Sequence, residues 1–156
     1  MASDKKKSGS SGAIVAQNRK ARFLYEVLET YEAGLVLKGT EAKSLREAKM
    51  SIEEAYAKIN DGEVFLIGAH VPEYVFANRM NHEPRRKRKL LLHKREIRKI
   101  KTALEQKGLT LIPLEVHFSP RGWAKILLGV CKGKKTHDKR ESLKKKSAQR
   151  EMREMG

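Results

Sequence analysis

The chain has one cysteine, Cys131, and no run of apolar residues that could cross a bilayer. A lone thiol excludes an internal disulfide and offers no zinc-ligand spacing. A spanning helix needs about 20 apolar residues, which excludes a transmembrane protein of that kind. The lysines near the N-terminus precede no apolar stretch, so they do not form a secretory signal. We therefore expect a cytoplasmic protein in which Cys131 is a small core residue.

Motifs for catalysis are also missing. The histidines at 70, 82, 93, 117 and 137 fall in different predicted elements and share no metal-ligand spacing. The "GKK" at 133–135 lacks the upstream glycine and the hydroxyl of a phosphate-binding loop. The carboxylates in 41–63 are expected to be solvated. These absences predict no enzyme, no cofactor and no metal, with a hidden acid pair for nuclease chemistry as the alternative.

Positive charge is what the sequence has in excess. Lysine and arginine number 35 against 19 acidic residues, which gives a net charge of +16. The excess is local, because residues 85–101 hold ten basic side chains and one acidic one. Local basic patches are typical of a shaped contact with a polyanion, and nucleic acid is the expected partner.

The first half of the chain reads mainly as strands. Residues 22–37 fit a helical stripe, but their aromatic and β-branched content and the Gly34 break favour two strands or one bent strand. Thr40 is the expected N-cap of a short helix. The Asp61-Gly62 pair between two apolar runs predicts a hairpin. Residues 72–84 are expected to form a long surface loop.

The second half predicts a helix from Leu92 to Lys107, stopped at Gly108, and then a hairpin. In its first strand Pro113 marks an edge or a beginning. The residues expected to face the core alternate along that strand: Ile112, Leu114, Val116 and Phe118. The fold class is therefore mainly β with flanking helices (α+β). A small closed barrel of the oligonucleotide-binding (OB) type is compatible with this pattern, as is another α+β sheet.

The charge and composition also predict three regions. Residues 1–17 form a flexible basic leader, residues 18–132 the barrel domain with its helices, and residues 133–156 a basic C-terminal tail. The tail has too little apolar content to order itself when free. Its lysines and arginines favour a helix once a polyanion neutralises them, so we expect it to become helical on RNA.

Two basic segments stand out, at 85–89 and in "NRKAR" at 18–22. Five consecutive cations at 85–89 repel one another unless an anion joins them. The leucines at 90–92 that follow are expected in the core. Glu32, before a glycine, is either a turn residue or an acceptor for RNA base amines.

Four ordered motifs resemble a known family: "TYEAGLVLKGTEAKSLREAK", "NHEPRRKRKLLLHKREI", "KGLTLIPLEVHF" and "GVCKGKKTHDKR". Over residues 18–140 or so, the sequence is similar to SmpB, the SsrA-binding protein family of bacteria. The resemblance implies an OB-type barrel that binds the tRNA-like domain of tmRNA (SsrA RNA). It also implies delivery of that RNA to stalled ribosomes for trans-translation.

The resemblance further implies site residues and partners. Glu32 and the segment from Lys89 to His93 would contact tmRNA, with "NRKAR" beside them. The tail would lie in the empty mRNA channel of the 70S ribosome, touching small-subunit rRNA at the decoding centre. EF-Tu and alanyl-tRNA synthetase would be indirect partners through alanyl-tmRNA. The RNA-binding residues are Asn18, Arg19, Lys20, Arg22, Glu32, Arg85, Arg86, Lys89, Leu91 and His93, and the tail residues are Gly133, Lys134, Lys135, His137, Asp138, Lys139 and Arg140.

A permanent ribosomal or assembly protein explains the charge equally well, and only the motif order argues against it.

Overall fold

The computed structural model describes residues 14–76, 81–106 and 108–134. They form seven strands and three helices. The strands are β1 Ile14–Gln17, β2 Tyr25–Leu35, β3 Tyr56–Asn60, β4 Glu63–Ile67, β5 Arg88–Leu91, β6 Leu109–Phe118 and β7 Ala124–Gly133. The helices are α1 Arg19–Leu24, α2 Gly39–Arg46 and α3 Lys94–Leu104.

The sheet closes on itself. Its strand order is β1-β6-β3-β4-β5-β2-β7, and β7 also pairs with β6. Neighbouring strands in this order run antiparallel, and so do β6 and β7. Six strands therefore make a ring of hydrogen bonds, and β1 pairs with β6 on the same edge as β3, at residues 115–117. Closure removes exposed strand edges. The predicted fold class, mainly β with flanking helices, is confirmed as a barrel-like closed sheet.

The inside of the ring is filled by aliphatic side chains. The fully enclosed members include Val64, Leu66, Val116, Ile126 and Leu128. Ile100 of α3 joins the same cluster, while α1 covers a second, smaller one. Because inward residues alternate with outward ones along each strand, the register also determines which side chains reach the outer surface.

β1 corrects the predicted domain boundaries. The composition places residues 14–17 in a flexible leader, but they pair with β6, and Val15 is buried. At the other end β7 continues to Gly133. Burial of Val15 and the pairing of β1 with β6 order this segment, although its composition is mostly polar. Residues 1–13 lie outside the described part of the chain.

The segment 22–37 is largely strand, as expected, although its first residues belong to α1. β2 is a single strand with a register shift between Val27 and Glu29. The hairpin at Asp61-Gly62 is confirmed, with φ of 52° and 75° at these residues. Both angles lie in the left-handed region that such a two-residue turn needs. Residues 72–76 and 81–84 form no helix or strand, in agreement with the predicted loop.

Helix boundaries differ from the sequence expectation. Lys38, not Thr40, is the N-cap of α2, because Glu41 accepts a hydrogen bond from the Lys38 backbone N–H at 2.8 Å. The Thr40 hydroxyl instead contacts Nδ1 of the buried His82 at 2.8 Å. α3 begins two residues later than predicted and ends before Gly108, which has a φ of 87°.

A bulge in β6 changes which residues face the core. The register with β7 shifts between Pro113 and Glu115, leaving Leu114 unpaired. Val116 and Phe118 pack in the main core as expected, but Ile112 and Leu114 pack in the second cluster with Ala21 of α1. The prediction of one continuous alternation was wrong, because a bulge reverses the facing of the residues on one side of it.

Pro113 lies in the middle of β6 rather than at its beginning. On one side it is opposite Leu128 of β7. On the other side β6 pairs with β3 at Leu111 and with β1 only from Glu115 onward. Pro113 therefore sits where no strand needs its missing N–H, which explains how a proline is tolerated inside the sheet.

Candidate nucleic-acid interface

Strand alternation divides the basic run at 85–89 into two sets. Arg88 and Leu90 of β5 point inward and are 0% and 1% exposed, whereas Lys89 and Leu91 are exposed. The prediction that all the leucines at 90–92 lie in the core is therefore wrong. Leu91 is 55% exposed and Leu92 is half-buried. A strand cannot bury consecutive side chains on one face.

The anion that the basic run requires is Glu41 of α2. It is fully buried, which corrects the expectation that the carboxylates of 41–63 are solvated. Its Oε1 accepts from Arg86 Nη2 at 2.6 Å, and its Oε2 accepts from Arg88 Nε at 2.7 Å. Burial raises the pKa of Glu41, but the hydrogen bonds from Arg86, from the Lys38 backbone and from Arg88 outweigh it and leave that pKa below its ordinary value.

The outward set forms the basic surface proper. Arg85 and Lys87 are exposed, and the Lys87 ammonium lies 4.4 Å from the centre of the Phe65 ring. Lys89 forms an exposed ion pair with Glu63. Arg86 is one-quarter exposed and holds Glu41. Of the predicted contact residues in this run, Arg85 and Lys89 are on the surface, and Arg86 is turned largely toward the interior.

Glu32 and Leu91 share the outer face of neighbouring strands. Gly34 of β2 is opposite Leu91 of β5, and Glu32 lies two residues before Gly34, which places it on the same face. A Cβ at Gly34 would lie 3.4 Å from Leu91 Cβ, so the leucine side chain covers this glycine. The Glu32 side chain is 54% exposed. The carboxylate and the apolar side chain therefore belong to one continuous surface.

His117 adds a group that sequence reasoning did not assign to this site. Its Nε2 lies 3.4 Å from Glu32 Oε2, and its Nδ1 lies 3.4 Å from Glu115 Oε2. Its side chain is 8% exposed, and Nδ1 has no hydrogen-bond partner. The sequence shows His117 two residues after Glu115 on one predicted strand. It gives no indication that Glu32, on a different strand, lies next to this histidine.

The "NRKAR" segment forms α1 on the same side of the barrel. Asn18 is its N-cap and is buried, with its side-chain oxygen accepting from the Ala21 N–H at 3.0 Å. The Asn18 amide also donates to the carbonyls of Ile52 and Pro113. Lys20 pairs with Glu54 at the surface. Arg19 and Arg22 line a cavity of about 110 Å³ together with Glu115.

The start of the predicted tail is attached beside α1. The Lys134 N–H donates to the carbonyl of Leu24 at 3.0 Å, and its Nζ donates to the carbonyl of Arg22 at 3.2 Å. Gly133 ends β7, opposite Tyr25. The remaining tail residues that were singled out lie outside the described residues: Lys135, His137, Asp138, Lys139 and Arg140.

α3 presents basic residues beside β2. Arg95, Arg98 and Lys99 line a groove that also includes Glu29. His93 is exposed and is the N-cap of α3, and its backbone N–H donates to Glu96 at 3.1 Å. The Tyr31 hydroxyl donates to Glu29 at 2.6 Å, which raises the pKa of Tyr31 to about 12.

Within residues 14–76, 81–106 and 108–134, no group of three or more histidine, cysteine or acidic side chains is placed to bind a metal ion. In the same ranges, each helix is too short or too polar to cross a membrane.

The "SmpB protein" family model matches residues 15–156 of the chain. The SsrA-binding protein of Rhizobium etli (strain CIAT 652) is 59% identical over 138 residues, which cover 88% of this chain and 87% of the relative. That of Mesorhizobium japonicum is 53% identical over 146 residues, covering 94% and 92%. A solved chain from "tmRNA-SmpB: a journey to the center of the bacterial ribosome" is 47% identical, with a TM-score of 0.67, and the match covers 86% of this chain and 95% of that one.

Proposed function

Because the chain belongs to the SmpB family, we propose that it binds tmRNA through the outer surface of its barrel and delivers it to stalled ribosomes for trans-translation. The proposal assigns it a binding role without a reaction of its own. The ribosome lies in the cytoplasm, which is the proposed location.

The observation that carries the surface assignment is the shared outer face of β2 and β5. There the exposed carboxylate of Glu32 shares a face with the apolar Leu91, Lys89 lies two residues from Leu91 on β5, and Arg85 is exposed in the segment that precedes β5. Phosphates require cations that can reach them, and base edges require acceptors and flat or apolar contacts. This surface offers cations, the carboxylate acceptor of Glu32 and the apolar side chain of Leu91. The exposed His93 at the start of α3 adds an imidazole ring.

Not every predicted RNA-binding residue supports a direct contact. The Asn18 side chain is buried and occupied by three hydrogen bonds, so we assign it the positioning of α1, whose Arg19 and Arg22 face outward. Arg86 is assigned a similar role through Glu41. The direct contacts proposed for RNA are then Arg19, Lys20, Arg22, Glu32, Arg85, Lys89, Leu91 and His93.

The tail is proposed to act separately from the barrel, in the mRNA channel and at the decoding centre. Its attachment beside α1 through Lys134 supports this division, because the tail leaves the barrel from a fixed point. Replacement of Asp138, Lys139 and Arg140 by alanine is expected to leave the affinity for tmRNA within about twofold and to abolish tagging in a reconstituted translation reaction. A large loss of affinity would contradict the division.

The basic surface is tested by a matched pair of double variants. R85Q/K87Q removes two cations from the proposed surface, and R46Q/K49Q removes two exposed cations at the end of α2, outside that surface. Binding of the tRNA-like domain is measured between 50 and 300 mM salt. We expect the slope of log K against log salt to become shallower by about one for each phosphate that R85Q/K87Q no longer neutralises. Equal slopes for the two variants would show that this surface does not face the RNA.

A further inference from the structure

The buried imidazole of His117 lies between two carboxylates, one of which is Glu32. We infer that His117 is a positioning residue that holds Glu32 for its contact with RNA, and this inference rests on the proposed function. Glu32 is on β2 and Glu115 on β6, so the imidazole connects two strands that are both neighbours of β7.

The sheet register places these groups on one face. Glu115 is opposite Leu127 of β7, and Leu127 is opposite Glu32 of β2. His117 follows Glu115 by two residues and is therefore on the same, outer face. The arrangement is consequently fixed by backbone pairing on three strands, and Glu32 is the only member of this trio that is more than half exposed.

The geometry has a direct consequence for charge. A neutral imidazole carries one N–H and turns a lone pair toward the second carboxylate. The imidazolium carries N–H groups on both nitrogens and favours both neighbours. Protonated His117 therefore restrains Glu32 and adds a positive charge beneath the RNA surface. In the neutral form the restraint on Glu32 is weaker.

Other charged groups surround this cluster. α1 contributes Arg19 and Arg22, which line the cavity next to Glu115. β7 contributes Lys125, the cross-strand partner of His117. β1 contributes the uncharged Ile14 and Gln17, opposite His117 and Glu115. The two carboxylates favour the imidazolium and the three cations oppose it. Histidine is the side chain whose charge ordinarily changes near neutral pH, so a pH profile of binding tests this arrangement.

The test uses the full chain and the tRNA-like domain of tmRNA, with affinities measured from pH 6 to pH 8. The wild type is expected to bind about fivefold more tightly at pH 6 than at pH 8, a coupling of ordinary size. H117Q keeps an N–H donor in its amide but cannot be charged, so its profile is expected to be flatter. H70Q is the matched control, because His70 lies outside the site. His93 and His137 are present in all these chains, so their contribution cancels.

H117F supplies the second arm. It removes the donor, and at pH 6 we expect about a tenfold loss of affinity, the size of a hydrogen bond to a charged group. In an E32Q background the same substitution should change affinity by less than about twofold, because Glu32 no longer needs holding. Thermal melts establish that each variant is folded.

The outcomes separate the inference from the proposed function. If the wild type does not bind the tRNA-like domain, the proposed function is wrong. The inference about His117 is then wrong as well, because it rests on that function. If the wild type binds, the inference is overturned by an H117Q profile as steep as that of H70Q. It is also overturned if H117F has an equal effect with and without Glu32, which would indicate a purely structural role.

Discussion

The Arg88 guanidinium donates its Nε–H to Oε2 of Glu41 across 2.7 Å, and both side chains are fully enclosed. Arg88 belongs to β5 and Glu41 to α2, so this pair joins the helix to the strand that carries the basic surface. The remaining Arg88 donors reach the carbonyls of Ala69, Pro84 and Arg86. A charge in the middle of the basic run thus stabilises the segment around it.

Loss of the Glu41 charge should destabilise the fold strongly. E41Q leaves the buried Arg88 charge uncompensated, and we expect the free energy of unfolding to fall by about 3 kcal/mol. E54Q is the control, because the Lys20–Glu54 pair is exposed and such pairs contribute about 0–1 kcal/mol. Urea denaturation of both variants measures the difference. Equal stability of the two would show that burial of this pair contributes nothing.

The same carboxyl gives the protein an acid-dependent stability. The pKa of Glu41 is lower in the folded chain than its ordinary value, so the unfolded chain binds more protons as the pH falls. Its contribution is present above the ordinary glutamate pKa of about 4.3 and is lost as the pH falls through the folded pKa. The stability difference between wild type and E41Q should therefore shrink from pH 6 to pH 3 in paired denaturation curves. A constant difference would contradict this.

Asn18 should matter for stability through two kinds of bond. N18A removes the N-cap of α1 and leaves the buried carbonyls of Ile52 and Pro113 without their donor, an expected loss of about 2 kcal/mol. N18S restores the cap but not the amide donor, so it should recover about half of that loss. Thermal and urea unfolding measure both variants. Equal stabilities of N18A and N18S would show that the N-cap hydrogen bond does not contribute to the stability of the fold.

Cys131 should be unreactive in the native state. Burial raises the pKa of its thiol to about 11, although the nearby Arg22 acts in the opposite direction. Little thiolate is therefore present at pH 8, and the side chain is enclosed. A thiol reagent such as DTNB is expected to modify the native chain slowly and the urea-unfolded chain within seconds to minutes. Rapid native modification would show that the end of β7 opens easily.

The sequence was a good guide wherever a local pattern determines structure. The Asp61-Gly62 hairpin, the strand character of β2 and the α3 helix were all predicted, because turn chemistry and periodicity act within a few residues. The bulge at Leu114 was not predicted. The Leu114 side chain packs in the second cluster under α1. No residue near Leu114 in the sequence indicates that this cluster exists.

The candidate site shows the same division. The basic run at 85–89 was visible from composition, but the inward direction of Arg88 depends on the phase of β5 and on a carboxylate far away in the chain. The contact between Glu32 and His117 likewise depends on two strands that meet only through β7. A single sequence does not show which strands pair. The chemical character of these residues could therefore be predicted from the sequence, but their proximity in the fold could not.

The pairing of Tyr25 with Gly133 has a consequence for how the protein is made. β2 is among the first strands to leave the ribosome during synthesis, and β7, one of the two strands beside it, is the last of the described strands. The ring cannot close until the end of β7 is available, and contacts between such distant parts of a chain form slowly. During translation, β2 therefore exposes an unpaired edge, and aggregation or chaperone binding at this stage competes with completion of the barrel.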